Sequence, residues 1–103
     1  MSDDLNTPAS GSNEPTINFA SFVLSLVHTA AVHFGDVADP STGERHAPNL
    51  QLAQQMIDIL AMLEEKTRGN LSAEERQVLE QVLYELRMRY VQLQEDRPRI
   101  IQP

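Results

Sequence analysis

The stretch whose reading decides the fold is Ile17-Asn-Phe-Ala-Ser-Phe-Val-Leu-Ser-Leu-Val-His-Thr-Ala-Ala-Val-His-Phe34, closed by Gly35. It contains no Asp, Glu, Lys or Arg, in a chain of 103 residues with formal charge -7. Read at about 100° per residue, its apolar side chains, among them Phe19, Phe22, Val23, Leu26 and Ala30, cover an arc of roughly 200°. One neighbouring helix cannot hide so wide an arc. The spacing therefore predicts a helix over about 18–34 that needs more than one partner. Asn18 is the expected N-cap, Ile17 is expected to fold back on Phe22 as a hydrophobic staple, and Gly35 supplies the left-handed position that ends the helix. The opposite strip holds Ser21, Ser25, His28 and Thr29, with Val32 among them. Its small side chains recur one turn apart, where a second backbone can approach closely.

The same stretch bounds the compartment. At about 1.5 Å per residue it is roughly 27 Å long, barely the thickness of a bilayer core. Its Asn, Ser, Thr and His residues make it too polar for a span. A secretory signal wants a positive start, whereas Asp3, Asp4 and Glu14 precede this segment and the first basic residue is Arg45. With no cysteine in the chain, the expectation is a reducing cytoplasm. The eight basic residues are scattered, so no patch suited to nucleic-acid phosphates is predicted.

Downstream, Pro48 and the cap Asn49 open a second helix over about 50–68. Its apolar side includes Leu52, Ala53, Met56, Ile57, Ile59, Leu60 and Leu63, and Gly69 ends it. Ser72 and Glu75 form a capping box for a third helix over about 73–94. Only Asn70 and Leu71 lie between these helices, so they must fold into an antiparallel hairpin. The third helix carries a broad apolar stripe, Val78, Leu79, Val82, Leu83, Leu86, Tyr90 and Leu93, expected against the second helix. A narrow stripe, Tyr84, Met88 and Val91, is left for the first helix or for another subunit. Residues 17–94 thus read as one domain, 1–16 as a disordered tail and 95–103 as a flexible one.

Chemistry-bearing residues are few. In the connector 36–48, Asp36, Asp39 and Glu44 lack the spacing of an EF-hand loop. With His33 and His46 they could be a metal cluster, but the Pro and Gly spacing favours a plain turn, so neither metal nor cofactor is expected. His33 falls between Phe22 and Leu26 on the apolar arc, while His28 lies on the polar strip. Five residues apart, they point about 140° away from each other and do not form a metal pair. His33 is read either as a core histidine satisfied by a carboxylate, a carbonyl or the connector, or as a pH-sensitive or ligand-site residue. Lys66, Arg68, Arg87 and Arg89 near helix C-termini complement the helix dipoles, and Lys66 and Arg68 can also meet Glu74 and Glu75. No catalytic set is visible. A ligand-binding or enzymatic alternative would use His33, Arg87 and Tyr90, and a third alternative is peripheral membrane association through the first helix.

The runs Asn18-Phe-x-x-Phe-Val-Leu-Ser-Leu26, His33-Phe34-Gly35, Lys66-Thr67-Arg68-Gly69-Asn70-Leu71 and Leu83-Tyr84-Glu85-Leu86-Arg87-Met88-Arg89-Tyr90 carry a resemblance. Over residues 17–91 the chain resembles a family of short acidic bacterial proteins catalogued as a domain of unknown function. The resemblance implies a helical, bacterial, cytoplasmic protein and brings no substrate, cofactor or catalytic residue. The fold expected is all-α, helix 1 packed on the hairpin of helices 2 and 3, and the excess of apolar surface predicts an oligomer. Phe19, Phe22, Val23, Leu26 and Ala30 of helix 1, and Tyr84, Met88 and Val91 of helix 3, are the expected interface. The expected partners are the chain itself, as a homodimer or higher, and another protein.

Overall fold

Three helices form where the spacing places them. In the computed structural model, which describes residues 17–96, they are α1 (Phe19–Phe34), α2 (Leu50–Lys66) and α3 (Ala73–Asp96). No strand occurs among the described residues. The expected tails 1–16 and 97–103 lie outside the described residues, while Glu95 and Asp96, assigned to the C-terminal tail from sequence, continue α3.

The helix ends follow from capping chemistry. The Asn18 side chain accepts from the Ser21 N–H at 2.8 Å, and the Ser21 hydroxyl accepts from the Asn18 N–H at 3.3 Å. Asn49 caps α2 by accepting from the Leu52 N–H at 3.0 Å. At α3 the box is reciprocal: the Glu75 N–H donates to Ser72 Oγ at 3.0 Å and the Ser72 N–H to Glu75 Oε1 at 2.9 Å. Each bond satisfies a donor that a helix start leaves unpaired. Gly35, at φ 82°, closes α1 with a Schellman pair: its N–H donates to Val32 O at 3.0 Å and the Asp36 N–H to Ala31 O at 2.9 Å. A Cβ there would lie 2.6 Å from the His46 carbonyl oxygen, so glycine is also what lets the connector press onto the helix end. α2 stops at Lys66 rather than at residue 68: beyond it the i−4 ladder gives way to tighter turns, the Arg68 N–H donating to Glu65 O at 3.4 Å and the Asn70 N–H to Thr67 O at 2.8 Å, with Gly69 at φ 86°.

The core is shared by all three helices, each of which packs on both others. Val23, Ala30 and Phe34 of α1 meet Ala53, Met56, Ile57 and Leu60 of α2 and Leu79, Val82, Leu83 and Leu86 of α3. The broad stripe of α3 therefore serves α1 as well as α2.

The arc of α1 is wider than its two neighbours in the chain cover: Val23 is its centre, and Phe22 and Leu24, about 100° to either side, are both exposed. Other expectations need correction. Ile17 is 96% exposed and does not staple onto Phe22, which is itself exposed. Among the described residues no second backbone closes on the strip of small residues; Ser25 and Thr29 turn their hydroxyls onto the Phe22 and Ser25 carbonyls of their own helix. Val32, placed on that polar strip by its angle, is buried, because the connector folds over the last turn of α1.

Candidate interaction surface and connector pocket

The connector is organised around one carboxylate. Asp39 accepts from the Ser41 N–H at 2.8 Å, from the Ser41 hydroxyl at 2.7 Å and pairs with His46 Nε2 at 2.8 Å. These bonds favour the ionised form, first the one to His46 and then those to Ser41, and hold the Asp39 carboxyl well below the usual carboxylate range. The backbone of Asp39 completes the turn: its N–H donates to Glu44 O at 2.8 Å, and its carbonyl accepts from the Gly43 N–H at 2.7 Å. Arg45 Nε then donates to Gly35 O at 3.0 Å, and the Asn49 N–H to His33 O at 2.7 Å. The connector is thus tied to α1 at both of its ends.

Asp36, the first residue past Gly35, receives a fork from Arg89 of α3: Nε to Oδ2 at 2.9 Å and Nη2 to Oδ1 at 2.5 Å. The bond to Asp36 raises the Arg89 pKa further above its ordinary value. The sequence placed Arg89 only as a complement to the helix dipole. No local signal could find its partner, 53 residues away.

Val32, His33, Asp39, His46, Ala47, Asn49 and Leu52 line a pocket of about 290 Å³ between the connector and the two helix ends. His33 is half-buried on its wall, and its ring finds neither a carboxylate nor a carbonyl among the described residues, contrary to the core-histidine expectation. Arg87 and Tyr90 do not line this pocket. Arg87 is exposed, and Tyr90 packs against the core. The three polar residues singled out together in the sequence therefore do not share this pocket. Nor does the connector gather its acids around a metal position: Asp36 belongs to Arg89, Asp39 to His46, and among the described residues no three His, Asp or Glu side chains converge at ligating range. The Ser41, Asp39 and His46 set is also in the wrong order for a nucleophile relay. Such a relay places imidazole between hydroxyl and carboxylate, whereas here the carboxylate stands between the other two.

The ion pairs among the described residues are those of Asp36 and Asp39. Lys66 and Arg68 do not reach Glu74 or Glu75 as expected. The neighbouring helix ends instead leave an open cleft lined by Glu64, Arg68, Arg76 and Glu80.

The distinctive feature of the surface is apolar. Of the interface residues expected on α1, Val23 and Ala30 lie fully buried in the chain's own core, Phe19 and Leu26 are half-buried, and Phe22 is exposed. On α3 the narrow stripe is not taken by α1. Tyr84 is 62% exposed, Met88 52% and Val91 43%, and they line a shallow groove with Glu85, Arg89, Gln92 and Glu95. A third set, Leu52, Ile59 and Met62 on α2, is also exposed. The sequence assigned Leu52 and Ile59 to the buried side. At about 100° per residue they lie at one edge of the α2 apolar arc, on the far side of Met56 from Ala53, Ile57 and Leu60.

No helix among the described residues is long and apolar enough to cross a membrane. No curated protein and no solved structure matches the chain. A family model, Domain of unknown function (DUF1844), matches residues 16–92. That span takes in all three helices as far as the narrow stripe of α3, together with the connector and its Asp36 and Asp39 contacts, and the chain is a member of the DUF1844 family.

Proposed function

We propose that this chain is a small helical interaction module that associates with copies of itself, with an assembly role rather than a catalytic one. The observation that carries the reading is the exposure of large apolar side chains on separate sides of a molecule whose three helices already enclose a core. Exposed apolar surface of this kind marks interaction sites. The polar residues support the same reading, because the carboxylates of the connector are engaged in holding it: Asp39 with His46 and Ser41, and Asp36 with Arg89. The cysteine-free composition suits a reducing cytoplasm. Size-exclusion chromatography with light scattering tests it. The expected result is a mass above the 11.6 kDa of one chain that rises with concentration. A fully helical chain that stays monomeric overturns the reading, and co-flotation of that monomer with neutral liposomes would assign Phe22 and Leu24 to a lipid surface instead.

A further inference from the structure

The chemistry of the narrow stripe on α3 selects its occupant. Tyr84, Met88 and Val91 fall within about 60° of one another on the helix, and all three are exposed. Glu85, Arg89, Gln92 and Glu95 line the groove beside them. The charge of Arg89 is already taken, because its guanidinium donates to both Asp36 oxygens and, through Nη1, to Gln92 Oε1 at 2.7 Å. The Glu85 carboxylate accepts from a neutral donor, the Gln81 amide, at 2.7 Å. Neither Glu85 nor Glu95 has an ion pair among the described residues. On the opposite edge of the stripe, Glu80 and Arg87 offset each other. The end of α3 adds a second demand for positive charge: its last turn holds Glu95 and Asp96 and no basic residue, although a helix C-terminus favours cations. The groove therefore suits a segment that offers a large apolar side chain and a cation and brings no acid.

Two stretches of the chain lie outside the described residues, and their chemistry is opposite. Residues 1–16 contain Asp3, Asp4 and Glu14 and no Lys or Arg, whereas Arg97-Pro98-Arg99-Ile100-Ile101-Gln102-Pro103 contains two arginines, two isoleucines and no acid. The second stretch also follows directly on the helix that carries the groove, so it meets that groove at high effective concentration.

We infer that residues 97–103 occupy the α3 groove of their own chain, in place of the free tail expected from sequence. Pro98 disfavours helical geometry at Arg97, which is where the chain reverses. An extended residue advances about 3.3 Å, so from Pro98 the segment brings Arg99 about 3 Å and Ile101 about 10 Å back along α3. At about 1.5 Å per helical residue, Val91 and Met88 lie about 8 and 12 Å back from Asp96, and Ile101 falls between them. Side chains two apart in an extended segment share a face. Arg99 and Ile101 therefore face the groove together, Arg99 at the level of Glu95, while Ile100 faces away. The inference is separate from the self-association reading. A partner that uses Met88 must displace the segment first.

Methyl NOE spectroscopy on the full chain tests this, with mixed labelled and unlabelled copies to separate contacts within a chain from contacts between chains. The expected result is cross-peaks from the Ile101 methyl groups to Met88 and Val91 within one chain, unchanged on dilution. Ile101→Asp should shift the Met88 and Val91 methyl signals, Arg99→Glu should abolish the Ile101 cross-peaks, and Ile100→Asp should leave both in place. All three positions lie outside the helices of the core, and circular dichroism confirms that helix content is kept. Absence of the cross-peaks in the unaltered chain overturns the inference, as do cross-peaks found only between copies, Ile101 contacts to Phe22 or Ile59 instead, or equal effects of Ile100→Asp and Ile101→Asp.

Discussion

Arg89 grips both carboxylate oxygens of Asp36 across 53 residues of sequence, with each side chain about one-third exposed. The fork pins the start of the connector to the far end of α3, and two parallel bonds to a planar guanidinium fix its geometry. Partial exposure limits its strength. Arg89→Gln is expected to destabilise the fold by about 1 kcal/mol, a fall in Tm of roughly 4–8 °C for a domain of this size. Arg89→Lys should recover only part of the loss, because one ammonium cannot make both bonds. Thermal unfolding followed by circular dichroism reads both, and an unchanged Tm in Arg89→Gln would mean that the fork forms without holding the connector.

The Asp39 hub gives the connector an acid limb. The carboxyl ionises more readily in the folded chain than its ordinary value of 3.8, owing to His46 and Ser41. A group with a depressed folded value stabilises the fold fully above its unfolded value and loses that contribution as pH falls towards the folded one. Urea midpoints should therefore be level from pH 7 to about 5 on this account and fall below about 4. Asp39→Asn should lower the neutral-pH midpoint and flatten the acid limb. Parallel limbs in the two proteins would assign the acid sensitivity to other carboxylates.

Gly35 and Gly69 separate two reasons for glycine. Both have positive φ, 82° and 86°, yet only Gly35 has a neighbour, the His46 carbonyl, where a Cβ would sit. Gly69→Ala is expected to cost about 1 kcal/mol from backbone strain alone. Gly35→Ala adds a clash with backbone and should cost clearly more, with the connector displaced. Urea unfolding orders the two variants, and equal costs would show that the connector yields freely.

Most of the fold was legible because its signals are local. The caps Asn18, Asn49 and Ser72 with Glu75, and the stop at Gly35, each depend on residues within four positions of one another, and the structure places them as the sequence implies. What escaped depends on distant chain. Val32 carries an exposed angle and becomes buried only because a connector with its own internal hub folds back over it. Arg89 carries a dipole-complementing position, and its real partner is set by the packing of α1 beside α3. The candidate surface was half legible: the unclosed arc of α1 announced unburied apolar residues, but periodicity could not say that Val23 and Ala30 would be covered at home while Ile59 and Met62 were left outside.

Core and surface apolar residues should respond oppositely to truncation. Leu60 is fully buried where the three helices meet, and Tyr84 is exposed. Leu60→Ala is expected to cost about 2–5 kcal/mol, whereas Tyr84→Ala should stay within about 0.5 kcal/mol of the parent. Chemical denaturation at low protein concentration measures both, and a large loss in Tyr84→Ala would make the narrow stripe part of the folding core.

The most direct measurement of the central claim is an isotope-filtered NOE experiment on a mixture of labelled and unlabelled chains, which reports only contacts between copies. The account predicts intermolecular cross-peaks from exposed apolar side chains among Phe22, Ile59, Met62, Met88 and Val91. Their absence at concentrations where the chain is folded would contradict it.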